Sequence, residues 1–88
     1  MSYRNDPTYQ AAFRAAELAY QLGEQVRSAR EALGWTQSEL ALKSGMKQNA
    51  ISRLEAGDVV PSVVTLDRVA TALQLRLTIE FMAPDEPA

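Results

Sequence analysis

The feature that most narrows the possible folds is a pair of short helical signals separated by a glycine turn in the middle of the chain. Thr36 with Glu39 three residues on has the form of a capping box, in which side-chain oxygens satisfy the backbone N–H groups that a helix start leaves without partners. Leu40 and Ala41 supply the inward positions of that helix, and Ser44-Gly45-Met46 turns the chain, with Gly45 able to take the positive φ of a tight turn. A further helix is expected from about Gln48 to Ala56, burying Ile51 and Leu54 and stopping at Gly57.

The flanks extend this pattern on both sides. Asp6-Pro7 is an N-cap acceptor followed by a proline at the first helical position, so helix should follow. Tyr9, Phe13, Ala16 and Tyr20 recur at helical spacing, as do Leu18, Leu22, Val26, Ala29 and Leu33, but the two stripes point roughly 140–150° apart. Either the chain bends near Gly23, or one long helix shows two faces to different partners. The second stripe leads straight into the middle segment and is assigned to the core, with Gly34 as the closing cap. Asp58-Val59-Val60-Pro61 reads as a loop, and Ser62 caps a fourth helix whose buried stripe is Leu66, Val69, Ala70 and Leu73.

After Gln74 the period changes from helical to alternating: Leu75, Leu77, Ile79 and Phe81 alternate with Arg76, Thr78 and Glu80, the mark of a half-buried strand. A lone strand leaves its donors and acceptors unpaired, so it calls for a second copy of itself. The expected fold is therefore all-α with one C-terminal strand that pairs across a homodimer. Its parts are an N-terminal helical extension (1–21), a central helical domain (22–74), the strand (75–82) and a flexible, proline-rich tail (83–88). A twofold axis beside Thr78 sets Arg76 opposite Glu80 of the other copy, twice, and puts the four apolar residues on one face.

Composition removes several classes of function. The chain of 88 residues has no cysteine and no histidine, which excludes disulfides, thiolate metal sites and the commonest general base. No nucleophile–base pair, metal cluster or phosphate loop is present, so neither an enzyme nor a cofactor is expected. The first seven residues have no signal core and no run approaches a membrane span, which points to the cytoplasm. A net charge of −2 argues at first against nucleic acid. Yet residues 26–57 hold Arg27, Arg30, Lys43, Lys47 and Arg53 against Glu31, Glu39 and Glu55, whereas the acidic balance falls on residues 58–88. Positive charge is concentrated in the middle, and the acidic remainder leaves room for a basic protein partner.

The run Gly34-Trp35-Thr36-Gln37-Ser38-Glu39-Leu40-Ala41, then Gly45-Met46-Lys47-Gln48-Asn49-Ala50-Ile51-Ser52-Arg53-Leu54-Glu55-Ala56-Gly57, resembles the Xre/Cro family of phage and bacterial repressors. The resemblance extends through Pro61-Ser62, Thr65-Leu66 and Val69-Ala70 and covers about residues 22 to 74. It implies a lambda-repressor-like helix-turn-helix domain whose second helix enters the major groove of double-stranded DNA. By position in the motif, Gln48, Asn49 and Arg53 read base edges, with Ser52 on the same face. Lys47 reaches a base or phosphate, and Gln37 anchors a phosphate through its side chain and backbone amide. Lys47 stands where many family members carry Ser or Thr, so the cap is lost and a cation lies at the positive end of the helix dipole. Arg27 and Arg30 are either a solvated face or phosphate contacts, Trp35 is expected as a core plug, and Glu55 is expected to pair locally with a basic side chain.

The layout is similar to that of HigA-type antitoxins, and the G-W-T-Q-S-E-L-A run with a terminal strand is similar to HipB. The HigA likeness is the closer, on the Ile-Ser-Arg and Pro-Ser-x-x-Thr-Leu patterns and the N-terminal extension. These resemblances imply a dimeric repressor of an inverted-repeat operator that also masks a toxin, RNA-cleaving or kinase in type. Tyr9, Phe13, Ala16 and Tyr20 would face that toxin. The competing readings are a stand-alone prophage-type repressor and a protein-interaction adaptor that has lost DNA binding.

Overall fold

The computed structural model describes residues 6–85; the end of the expected tail, 86–88, lies outside them. Four helices follow one another: α1 (Pro7–Ala32), α2 (Gln37–Ser44), α3 (Gln48–Ala56) and α4 (Val63–Ala72). Three of the four start on a capping side chain. The Asp6 carboxylate accepts from the Thr8 N–H at 2.8 Å, and Ser62 accepts from the Thr65 N–H at 3.1 Å. The capping box is complete, with Thr36 Oγ1 accepting from the Glu39 N–H and Glu39 Oε1 from the Thr36 N–H.

All four helices end in the same way. A residue of positive φ follows the last turn, and the next residue's N–H returns to a carbonyl five positions back: Trp35 to Arg30, Met46 to Ala41, Asp58 to Arg53 and Leu75 to Ala70. This satisfies carbonyls that a helix end otherwise leaves open. Glycine holds the left-handed position in three of the four, and Gln74, at φ 64°, holds it in the last.

The core is Val26, Leu40, Ala41, Ile51, Leu54, Val69 and Leu73, edged by Ala29, Trp35, Met46 and Ala72. Trp35 fills the corner after α1 as expected, and the Lys43 ammonium lies 4.8 Å from its ring centroid. The turn between α2 and α3 is held from behind, where Arg68 of α4 donates to the Gly45 carbonyl at 2.9 Å.

α1 runs unbroken through Gly23, so of the two sequence alternatives the single long helix is the one that forms. Gly23 is buried where α1 crosses α3: a Cβ there would collide with the Leu54 carbonyl oxygen and lie 2.7 Å from that of Glu55. Close crossing demands small residues, and the inward line is Ala19, Gly23 and Val26. Two members of the expected core stripe are therefore corrected. Leu18 is 57% exposed and Leu33, at the helix cap, 42%; Leu18 stands about 100° round the helix from Ala19.

The expected strand over residues 75–82 does not form: among the described residues there is no strand, and Leu75–Asp85 carry no regular structure. A strand exists only as part of a ladder, and a single copy of the chain offers this segment no second edge. Leu75, Ile79, Phe81 and Met82 are exposed. Leu75 and Leu77 line a shallow groove of about 200 Å³ whose apolar wall is Leu22, Val26, Leu66, Val69 and Leu73.

Candidate nucleic-acid interface

α3 is a nine-residue helix with two unlike sides. Ile51 and Leu54 are buried beneath it. Gln48, Asn49, Ser52 and Arg53 are all exposed and occupy an arc of about 140° on the opposite side. Among the described residues no hydrogen bond or ion pair engages the side chains of Asn49, Ser52 or Arg53, so their donors and acceptors face solvent. Lys47 is the N-cap residue, exposed, and forms no side-chain cap, as the sequence implies. The first N–H groups of α3 thus lack a side-chain cap, and the residue at this already positive helix end is itself cationic.

Two adjacent residues in the first turn of α2 reach across to α3. Ser38 Oγ donates to Gln48 Oε1 at 2.9 Å, and Gln37 Nε2 donates to Glu55 Oε1 at 3.1 Å. The expectation for Gln37 is thereby divided. Its side chain is turned to the protein, while its backbone N–H lies in the first helical turn, where such groups lack intrahelical partners. Ser38 went unnoticed in the sequence beyond its place in the motif; its contact depends on how two helices cross, which no local pattern encodes.

Glu55 is the electrostatic centre behind this surface. Its side chain has no exposed area, and it accepts from Arg30 twice, Nε at 2.7 Å and Nη2 at 3.0 Å. Arg27 Nε stands 3.7 Å away. Arg30 is itself only 11% exposed and donates a further bond to the Trp35 carbonyl at 2.7 Å. Burial pushes the Glu55 carboxyl up, but the hydrogen bonds from Arg30 and Gln37, with the charges of Arg30 and Arg27, outweigh it and hold the group below the usual carboxylate range. The same pairing raises Arg30. The sequence assigned Glu55 a local partner and left Arg30 as surface or phosphate contact; instead they join across 25 positions, and Arg30 is a structural cation. Arg53 and Lys47 are then the cations of the exposed α3 region that have no ion-pair partner among the described residues.

The other expected surfaces are placed as follows. Tyr9, Phe13, Ala16 and Tyr20 are all exposed, and none of residues 7–18 is buried, so the first turns of α1 stand clear of the core. Arg76, Thr78 and Glu80 are exposed with Leu75, Ile79 and Phe81, and Leu77 is half-buried. No helix among the described residues is long and apolar enough to cross a membrane.

A capped supporting helix, a glycine turn and a second helix offering polar side chains outward define a helix-turn-helix DNA-binding domain. The profile of the helix-turn-helix family HTH_3 matches residues 26–79, and the chain belongs to that family, one of transcription regulators rather than enzymes. The chain is 41% identical over 56 residues to an uncharacterized HTH-type transcriptional regulator, y4dL, of Sinorhizobium fredii, spanning 64% of this chain and 29% of that protein. It is 39% identical over 59 residues to antitoxin HipB of Escherichia coli strain CFT073, 67% of this chain and 63% of HipB. With HipB of strain K12 the identity is 37% over 59 residues, 67% of each chain. The chain thus spans less than a third of the first relative and about two thirds of the antitoxins. No solved structure matches it significantly.

Proposed function

We propose that this chain is a sequence-specific transcriptional repressor that acts as the antitoxin of a toxin–antitoxin pair, repressing its own operon and masking its toxin. The observation that carries the DNA half of this reading is the outward arc of Gln48, Asn49, Ser52 and Arg53 over the buried Ile51 and Leu54. Gln and Asn can hold adenine through two bonds, and Arg guanine. Lys47 and the Gln37 backbone amide are assigned to phosphate. The antitoxin half rests on the likeness to HipB, which favours a kinase-type toxin; the HigA-like layout favours an RNA-cleaving one. Tyr9, Phe13, Ala16 and Tyr20 form the toxin-facing surface. Two copies pair through residues 75–81, read an inverted repeat with recognition helices about 34 Å apart, and work in the cytoplasm.

The test is direct. The protein is expressed with its neighbouring reading frame, and its own promoter is used in a gel shift. A retarded complex with that promoter and not with unrelated DNA, together with a co-purifying toxin, supports both halves. Gln48→Ala and Arg53→Ala should each weaken operator binding by about 1–3 kcal/mol and relax preference at one base position; equal losses on unrelated DNA would remove them from base reading. Promoter binding without any co-purifying protein would favour the second reading, a stand-alone repressor, which the likeness to the regulator y4dL supports.

A further inference from the structure

We propose that Ser38 is a positioning residue that sets which base edge Gln48 reads, an inference that rests on α3 being the recognition helix. Gln48 opens α3 and is exposed, and an exposed glutamine has three rotatable bonds through which to lose its aim. Its amide has one carbonyl face and one NH2 face, and a rotation of half a turn about the last bond exchanges them. Reading adenine requires a fixed order, the carbonyl accepting from the base amino group and the NH2 donating to the ring nitrogen. The Ser38 hydroxyl donates to Gln48 Oε1 at 2.9 Å. That bond uses one of the two acceptor sites of the carbonyl oxygen, leaves the other free, and turns the NH2 away from α2.

Ser38 can fix this geometry because its own position is held from three directions. The capping box of Thr36 and Glu39 closes the turn in which it lies. Its neighbour Gln37 is bonded to the buried Glu55, and Glu55 is bonded in turn to Arg30 of α1. Consecutive residues of α2 therefore brace α3 near both of its ends, Ser38 at Gln48 and Gln37 at Glu55. Removing the Ser38 hydroxyl breaks none of the other bonds and leaves no buried polar group unpaired, since Ser38 and Gln48 are both exposed. The expected loss is one of base discrimination and not of folding.

The experiment begins with duplexes enriched from a randomised pool by the wild-type protein, and measures Kd for every single base-pair change in the enriched site. Gln48→Ala should flatten the preference at one base pair. Ser38→Ala should flatten the preference at that same pair by about threefold to tenfold, with affinity for unrelated DNA and the thermal midpoint unchanged. Ser38→Thr, which keeps the hydroxyl, should retain the preference, and the double variant should match Gln48→Ala alone. A Ser38→Ala loss spread evenly over all positions, located at a different pair, or absent while Gln48→Ala is effective overturns the role of Ser38 alone. If Gln48→Ala itself alters no base preference, or no duplex is enriched, the reading of α3 beneath it falls as well.

Discussion

Glu55 shows how much a single carboxylate can organise when it is taken out of water. It joins α1 through Arg30, α2 through Gln37 and its own helix α3, and it is stable there only as a set. Removing one partner of a buried pair leaves the other charge without compensation, so Glu55→Ala or Arg30→Ala should each cost about 3–5 kcal/mol of unfolding free energy, read by urea denaturation. The sign of the pH dependence follows from the lowered carboxyl. Unfolded, Glu55 titrates at an ordinary value near 4.3 and takes up a proton before the folded form does. Its contribution is therefore complete above that value and lost as pH falls through the lower folded one. Below about pH 4 the wild-type denaturation midpoint should fall more steeply than that of Glu55→Gln, and parallel curves for the two proteins would refute the assignment. The sequence indicated that Glu55 would find a cation. It could not indicate which one, because Arg30 is brought there only by the crossing of α1 over α3.

Helix boundaries were the most legible part of the fold, because the signals that set them are local. Asp6-Pro7, the Thr36–Glu39 box, Ser62 and the glycines at 34, 45 and 57 all act where the sequence places them. The α1 stripe was less legible, since helical periodicity finds large apolar residues, whereas this crossing selects small ones. Gly23 makes the difference measurable. By helix propensity, Gly23→Ala should stabilise α1 by up to about 1 kcal/mol; by packing against the carbonyls of Leu54 and Glu55 it should instead destabilise the domain by about 1–3 kcal/mol. Contact with rigid backbone decides for the second, and a rise in thermal midpoint would show that the helices separate freely. The fourth helix end gives the opposite case. Gln74 adopts a left-handed conformation that glycine takes without steric cost, so Gln74→Gly should raise stability by a few tenths to about 1 kcal/mol. Equilibrium unfolding of the two proteins checks it.

In the molecule as a whole, the net charge of −2 and the placement of charge point in different directions, and part of the central positive surplus is spent internally on Glu55. The C-terminal segment shows the alternation of a strand and yet forms none among the described residues, because alternation marks a face and does not supply the second edge a ladder needs. If Arg76 and Glu80 meet across a twofold axis, Arg76→Glu should weaken dimerisation and operator binding together, and adding Glu80→Arg should restore part of both. Sedimentation and gel shift on the same samples test this, and a monomer at micromolar concentration would remove that interface. Deleting residues 1–17 should abolish toxin neutralisation and leave operator binding largely intact; a truncated chain that fails to fold would assign the exposed stripe to the core instead.

The unbroken course of α1 has a mechanical consequence. From Tyr9 to Gly23 the helix is a rod about 21 Å long, clear of the domain at one end and wedged against the carbonyls of Leu54 and Glu55 at the other. The held part lies against the C-terminal turn of α3, the helix that carries Gln48 and Arg53. A load placed at Tyr9 or Phe13 would therefore meet α3 through one stiff body, without a joint between them.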